Sequence, residues 1–243
     1  MNDKKLHPWI IENQKERKRE LPTYLCKKVS KTPVIDGILE PEFWGDIPST
    51  GNFWFAVGSG EARYFTEAKL CWDDEKLYIG FNCVDHNICA TYTKRKDPVY
   101  TEDVVEVFIS PFNTPYRYFE INVNPLNTLF DTLITNKCEL EGGAGVHLDL
   151  TYFLKGIQTA VNVRGKINDP SAISEGWSVE YAIPFSDFGK TDYNPPKVGT
   201  TWRMNLYRID GMPQTDFYAW SPNYFKFPAF HIPSGFGYLK FVE

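Results

Sequence analysis

The chain has 243 residues, a formal net charge of −5, and a composition that is 42% hydrophobic, 23% charged and 16% aromatic. This composition excludes a disordered or collagen-like chain. The acidic balance argues against a nucleic-acid partner, because no positive field is present to neutralise phosphates. No stretch is long and apolar enough to span a membrane. An all-β chain of this length is expected to form one domain.

Residues 1–30 are predicted to form an irregular or short-helical N-terminal arm, and residues 31–243 a single domain. The basic residues of the arm alternate with acidic ones, which is typical of a solvated segment. The start, MNDKKLHPWIIENQ, has no apolar signal segment. It therefore predicts a cytoplasmic protein, or a secreted one if a signal has been removed. Five cysteines without a CxxC pair indicate buried thiols in a reducing compartment.

After Pro33 the sequence changes to short alternating segments separated by Gly, Pro, Asn and Asp, which predict about ten strands. Residues 67–72 and 77–83 predict a hairpin in which Cys71 lies near Tyr78, out of disulfide reach of Cys83. No helical periodicity interrupts these segments, so an antiparallel, jelly-roll-like β-sandwich is expected. The other predicted strands cover residues 105–109, 118–123, 129–134, 157–163, 177–183, 200–209, 217–220 and 237–241.

Two central strands are predicted to have one apolar and one polar face. Apolar residues alternate with Glu106 in the first strand, and with Glu120 and Asn122 in the second. Because successive strand residues point to opposite faces, the carboxylates and the amide are expected on the face away from the core. Four tryptophans are assigned to the core from their apolar alternation or neighbouring turns: Trp44, Trp72, Trp177 and Trp202.

Six segments of the chain carry a family resemblance. They are TPVIDGILEPEFW (32–44), KLCWDDEKLYI (69–79), YTEDVVEVFI (100–109), GWSVEYAIPF (176–185), AWSP (219–222) and FHIPSGFG (230–237). In this order they resemble the family 9 carbohydrate-binding modules and their stand-alone relatives. The resemblance implies a β-sandwich that binds sugars without cleaving them, often at the reducing ends of glycans. It also implies structural calcium and a ligand held between two tryptophan rings.

The resemblance assigns the ring clamp to Tyr100 and Phe230, neither of which is tryptophan. A ring face still offers apolar contact to the axial hydrogens of a pyranose. From the residues alone, packing on the sandwich rim explains the two rings equally well. His231, beside Phe230, is expected to be a structural histidine.

The resemblance also assigns polar contacts to the sugar. Glu106 matches a family carboxylate that accepts hydrogen bonds from sugar hydroxyls. Glu120 stands where the family uses an arginine, so reducing-end specificity does not carry over. Asn122 shares the face of Glu120, and Arg95 leads into Tyr100 and is expected to reach the ligand. The predicted ligand is a mono- or oligosaccharide.

Other functions stay open on the sequence. A glycoside hydrolase or lyase would use paired carboxylates such as Glu106 and Glu120. A haem or redox module would need axial ligands, for which Met204 and Met212 are poorly placed. A protein-interaction surface would use the same aromatic residues. Loop aspartates such as Asp85 suit calcium, although turn chemistry explains them more simply.

Overall fold

The computed structural model describes residues 20–112, 114–137, 145–211, 214–223 and 227–243, so residues 1–19 of the predicted arm lie outside the described residues. Strands dominate this part of the chain. The strands are β1 (Thr23–Lys28), β2 (Trp54–Phe55), β3 (Thr66–Trp72), β4 (Lys76–Val84), β5 (Val104–Ser110), β6 (Arg117–Val123), β7 (Leu129–Asn136), β8 (Val146–Asp149), β9 (Gln158–Arg164), β10 (Gly176–Pro184), β11 (Thr201–Asp210), β12 (Asp216–Ala219) and β13 (Gly237–Val242).

In the part of the chain that the structure describes, helical structure is limited to short turns. The α-helix α1 covers Pro41–Trp44, and 3₁₀ turns cover Val99–Thr101, Phe185–Phe188 and Pro233–Gly235. Within the described ranges, none of these helices has the length or apolar composition needed to cross a bilayer.

The strands form one sheet that curls over itself as a β-sandwich. Its order is β8-β7-β6-β5-β11-β13-β1-β3-β4-β10-β9, and β12 joins β11 to β2. The main hydrophobic core lies between the two halves. Val107 and Ile121 enter it from β5 and β6, and Ile79 and Val179 enter it from β4 and β10. The predicted all-β sandwich is confirmed.

The core tryptophans are placed as the alternation predicts. Trp44, Trp72, Trp177 and Trp202 are all at most 2% exposed. Burying such large rings makes them major contributors to folding, since each removes a large apolar area from water.

Strand β1 corrects the prediction for the end of the N-terminal arm. Residues 23–28 lie inside the sheet, paired in parallel with β13 on one side and β3 on the other. Tyr24 and Cys26 point into the core, while Thr23, Leu25 and Lys27 are exposed. The alternation is only two core residues long, which is too short to distinguish a strand from an irregular segment. The sheet is therefore antiparallel except around β1.

The β3–β4 hairpin has the predicted register. Cys71 is the cross-strand partner of Tyr78, and Cys71 and Cys83 are both free thiols. Asp73 shapes the turn: its Oδ1 accepts the backbone N–H groups of Glu75 and Lys76 at 2.8 and 2.7 Å. This carboxylate has the turn role that its sequence position suggests.

Candidate functional site

A cavity of about 490 Å³ opens on the face of β5 and β6 that points away from the main core. This volume falls within the roughly 300–1,000 Å³ of small-molecule pockets. Four predicted site residues line it: Tyr100, Phe230, Glu106 and Glu120. The structure therefore brings together residues from four separate segments of the chain.

Strand pairing places the polar residues on this face of the sheet. Glu106 and Glu120 line the cavity, whereas the predicted site residue Asn122 lies on the same face but is not one of the lining residues. Glu106 on β5 lies opposite Asn122 on β6, and Phe108 lies opposite Glu120. Thr132 on β7 lies opposite Glu120 on the other side. Because side chains two residues apart share a face, these groups form one continuous surface. We call Glu106, Glu120, Asn122 and Thr132 the acidic floor.

The two aromatic residues reach the cavity from loops. Tyr100 lies in the 3₁₀ turn before β5, is 40% exposed, and meets Phe130 edge-on at 5.3 Å between ring centroids. Phe230 stacks on Tyr207 at 4.0 Å with an interplanar angle of 11°. One face of Phe230 is thus supported by protein. Tyr100 and Phe230 therefore each pack on another aromatic ring of the protein and also line the cavity.

The acidic floor carries buried polar atoms that lack partners. Glu106, Glu120, Asn122 and Thr132 are each at most 4% exposed. Within the described part of the chain, Glu106 Oε1, Glu120 Oε2, Asn122 Oδ1 and Thr132 Oγ1 have no hydrogen-bond partner. Within the acidic floor, Asn122 Nδ2 donates a hydrogen bond to Glu120 Oε1 at 2.8 Å. Unsatisfied buried polar atoms are costly, so their clustering here indicates a surface that a ligand completes.

The two carboxyl groups hold their protons unusually well. Burial, and then the neighbouring Glu120, raise the pKa of Glu106 well above its usual range. Burial raises the pKa of Glu120 to about 7, although the hydrogen bond from Asn122 opposes this shift. Low dielectric and a like charge both disfavour the ionised form.

His231 belongs to the cavity wall, although its sequence position suggested only a structural role. Its Nδ1 lies 2.8 Å from the Tyr118 hydroxyl, and its Nε2 lies 3.9 Å from Glu120 Oε2. The side chain keeps 31% of its surface accessible, yet enclosure by protein lowers the pKa of His231 to about 4. The imidazole is therefore neutral near pH 7 and gives no positive charge to the floor.

Arg95 is not brought to the cavity. Its guanidinium forms a forked pair with Asp131, with Nε–Oδ1 and Nη2–Oδ2 distances of 3.0 and 2.6 Å. It also lies over the Phe153 ring at 5.0 Å. Asp131 is on β7 and faces away from the acidic floor, so it draws the arginine to the other side of the sheet.

Replacing Glu120 with Gln is expected to flatten the pH dependence of stability. The folded protein keeps the Glu120 proton up to about pH 7, whereas the unfolded chain loses it near the usual value of 4.5. More protons are bound in the folded state between these values, so the free energy of unfolding falls as the pH rises through this window. Glu120→Gln should remove roughly 1–3 kcal/mol of that fall.

Denaturant unfolding at several pH values between 4.5 and 7 measures this effect. The exposed Glu175→Gln is the matched control and should keep the wild-type slope. Equal slopes in wild type and Glu120→Gln would mean that Glu120 titrates normally.

The implied structural calcium was tested against the buried aspartates. Asp85, Asp103 and Asp210 have ligand atoms within 4.8 Å of one another. However, Nη2 of Arg208 binds Asp85 and Asp210 at 3.0 and 3.2 Å, and Asp103 accepts two backbone N–H groups. Calcium needs six to eight oxygen ligands. Backbone N–H donors and the Arg208 guanidinium already bind the carboxylates of these three aspartates. The three aspartates therefore do not fit a calcium ion.

Burial affects the protonation of Asp103. Burial, and then the charge of Asp85, raise the pKa of Asp103 to about 7. We call Asp85, Asp103, Asp210 and Arg208 the buried ion cluster.

The residues weighed for a redox module give it no support. Met204 is fully buried in the main hydrophobic core, away from the cavity. Met212 lies outside the described residues.

The fold and the site together define the class of protein: a β-sandwich with a cavity of ligand size that is lined by aromatic rings. Residues 61–241 match the model of carbohydrate-binding family 9. The chain belongs to this family.

Relatives of known sequence or structure agree with this assignment. The chain is 33% identical over 166 residues to the exoglucanase XynX of Acetivibrio thermocellus, covering 68% of this chain and 13% of that protein. A candidate carbohydrate-binding protein of Bacteroides uniformis superposes with a TM-score of 0.72 at 18% identity, covering 91% of this chain and all of the other.

A family 9 module of Caldicellulosiruptor kristjanssonii is also similar in fold. Its cellotriose complex has a TM-score of 0.57 at 18% identity and covers 91% of this chain and 94% of the other. Its glucose complex gives 0.58 at 17%, covering 90% and 95%.

Proposed function

We propose that this protein binds a mono- or oligosaccharide without cleaving it, with a sugar ring on the acidic floor between Tyr100 and Phe230. The observation that carries this proposal is the set of buried, unpartnered acceptors beneath aromatic walls. Membership of carbohydrate-binding family 9 supports it. The family 9 module of similar fold was solved with cellotriose and with glucose.

The chemistry of a pyranose suits both parts of this cavity. Its hydroxyl groups donate hydrogen bonds, which the oxygens of Glu106 and Glu120 accept with charge assistance when ionised. Its axial C–H groups form an apolar face that packs on the rings of Tyr100 and Phe230. Because Glu120 replaces a donor with an acceptor, the hydroxyls selected here differ from those bound by an arginine-containing site.

The arrangement of the carboxyl groups favours binding over hydrolysis. Glycoside hydrolysis requires two carboxyl groups that flank the scissile bond. Glu106 and Glu120 instead project from neighbouring strands on one face of one sheet. Both lie on the same side of the cavity, and neither faces the other across a cleft. The protein is therefore proposed to have no hydrolytic activity.

Calorimetric titration with a panel of mono- and disaccharides tests the function. Wild type should bind at least one sugar. Where Glu106 is ionised in the complex, Glu106→Gln should weaken that binding by about 1.5–3 kcal/mol, since hydrogen bonds to a charged group have this magnitude. Glu175→Gln, an exposed residue outside the cavity, should bind as wild type does. Each titration is run with calcium and with EDTA, because the family resemblance implies structural calcium.

Two results would contradict the proposal. One is equal affinity in wild type and Glu106→Gln. The other is release of reducing sugar in the same samples that disappears in Glu106→Gln, which would make Glu106 catalytic.

The wider role follows from the relatives. The chain matches only a small part of a protein named as an exoglucanase, which supports a role in polysaccharide breakdown as a module that holds substrate. A secreted location alongside such a hydrolase is the proposal that these relatives support.

A further inference from the structure

The acidic floor contains two buried carboxyl groups that form no ion pair with a Lys or Arg of the described residues. Glu106 and Glu120 are 1% and 4% exposed. Among the described residues that line the cavity there is no Lys or Arg, and His231, which lies 3.9 Å from Glu120, has a pKa lowered to about 4. Arg95 is held by Asp131. Arg208 neighbours Tyr207 on β11, so it points to the opposite face, into the buried ion cluster.

The unpartnered atoms of the floor are mainly acceptors. When the two carboxyl groups are ionised, Glu106 Oε1, Glu120 Oε2 and Asn122 Oδ1 only accept hydrogen bonds, whereas Thr132 Oγ1 can also donate. A sugar hydroxyl has one donor and also acceptor lone pairs. The ionised floor has few donors that could pair with these lone pairs. An ammonium group brings three donors, no acceptor and a positive charge. It therefore matches both the hydrogen-bonding and the charge of this surface.

The walls also suit a cation. The rings of Tyr100, Phe217 and Phe230 line the same cavity. An aromatic ring attracts an ammonium group through its quadrupole, most strongly where water is excluded. Buried carboxyl groups below and rings at the sides together form a cage for an alkylammonium ion.

We propose that the preferred ligand is an amino sugar, a pyranose with a free ammonium group, bound with that ammonium on Glu106 and Glu120. This inference rests on the proposed carbohydrate binding and specifies its ligand class. The ammonium supplies the positive charge that the acidic floor lacks among the described residues lining the cavity, while the C–H face of the sugar packs on the rings.

Binding of an ammonium has a proton signature that binding of a neutral sugar lacks. Near neutral pH, Glu106 and Glu120 hold protons in the free protein because their pKa values are raised. An ammonium ligand ionises them, so protons are released and affinity rises as the pH increases through about 7. The groups near the pair whose pKa values are shifted away from this range stay uncharged in it. They are His231, whose pKa is lowered to about 4 by burial, and Tyr100 and Tyr181, whose pKa values are raised by burial.

The test compares sugars that differ in one substituent. Glucose is titrated against 2-amino-2-deoxyglucose, 3-amino-3-deoxyglucose and 6-amino-6-deoxyglucose at pH 6, 7 and 8, in buffers of different ionisation enthalpy. At least one amino sugar should bind about tenfold tighter than glucose at pH 7, release protons, and gain affinity from pH 6 to 7. Glu120→Gln should remove most of this preference.

The outcomes separate the two proposals. If glucose binds as tightly as every amino sugar, the amino-sugar inference is overturned and carbohydrate binding stands. If none of the four sugars binds, the inference fails as well. Carbohydrate binding then depends on the wider sugar panel described above. The proton-release measurement on wild type decides the inference even if Glu120→Gln does not fold.

Discussion

Replacing Arg208 with Met is expected to lower the free energy of unfolding by about 3–5 kcal/mol, because it leaves buried carboxylates without their cation. Arg208 is fully buried. Its Nη1 donates to Thr66 Oγ1 and the Val84 carbonyl at 2.9 and 2.7 Å, and its Nη2 binds Asp85. Arg208 lies on β11, while Thr66 and Val84 lie on β3 and β4. One side chain thus ties the two halves of the sandwich together.

Thermal unfolding measures this loss as a decrease in Tm on the order of 10 °C for a protein of this size. Lys28→Met is the matched control, since the Lys28–Asp74 pair is largely exposed and should leave Tm unchanged. If Arg208→Met unfolds within a degree or two of wild type, the buried ion cluster does not hold the two halves together.

Removing either ring of the clamp is expected to weaken sugar binding by about 1–3 kcal/mol, because the apolar face of the sugar then meets water. Tyr100→Ala should change binding with little change in stability, since Tyr100 is 40% exposed. Phe230→Ala should lower both, because Phe230 also stacks on Tyr207. Tyr100→Phe keeps the ring and should bind nearly as wild type.

Calorimetric affinity and Tm measured on the same variants separate the two roles of each ring. Phe65→Ala is the control for removing an exposed ring, since Phe65 is 41% exposed and does not line the cavity. Wild-type affinity in both Tyr100→Ala and Phe230→Ala would show that the rings only pack on the sandwich rim.

The sequence predicts most of the strands because alternation is a local property. In β5 and β6, apolar residues such as Val107 and Ile121 alternate with residues such as Glu106 and Glu120. Because successive strand residues point to opposite faces, this alternation predicts which face packs on the core and which carries the carboxyl groups. The prediction that Tyr100 and Phe230 line one cavity came from the family resemblance. The alternation of residues along the chain does not indicate the spatial distance between two residues 130 positions apart.

The features that the sequence did not predict depend on partners far away in the chain. Arg95 precedes Tyr100, but Asp131 on the other face of β7 binds its guanidinium. Residues 23–28 form strand β1 by pairing with β13 on one side and β3 on the other. Two alternating buried residues in the sequence do not indicate this long-range pairing. The support of Phe230 by Tyr207 and the hydrogen bond between His231 and Tyr118 likewise arise only when β6, β11 and the loop before β13 meet.

The structure of the protein with a bound sugar tests the central claim most directly. We predict a sugar ring in the cavity, in contact with Tyr100 and Phe230, with a ligand donor within hydrogen-bonding distance of Glu106 Oε1, at about 2.5–2.9 Å. A sugar bound elsewhere on the protein, with this cavity empty at saturating ligand, would contradict the account.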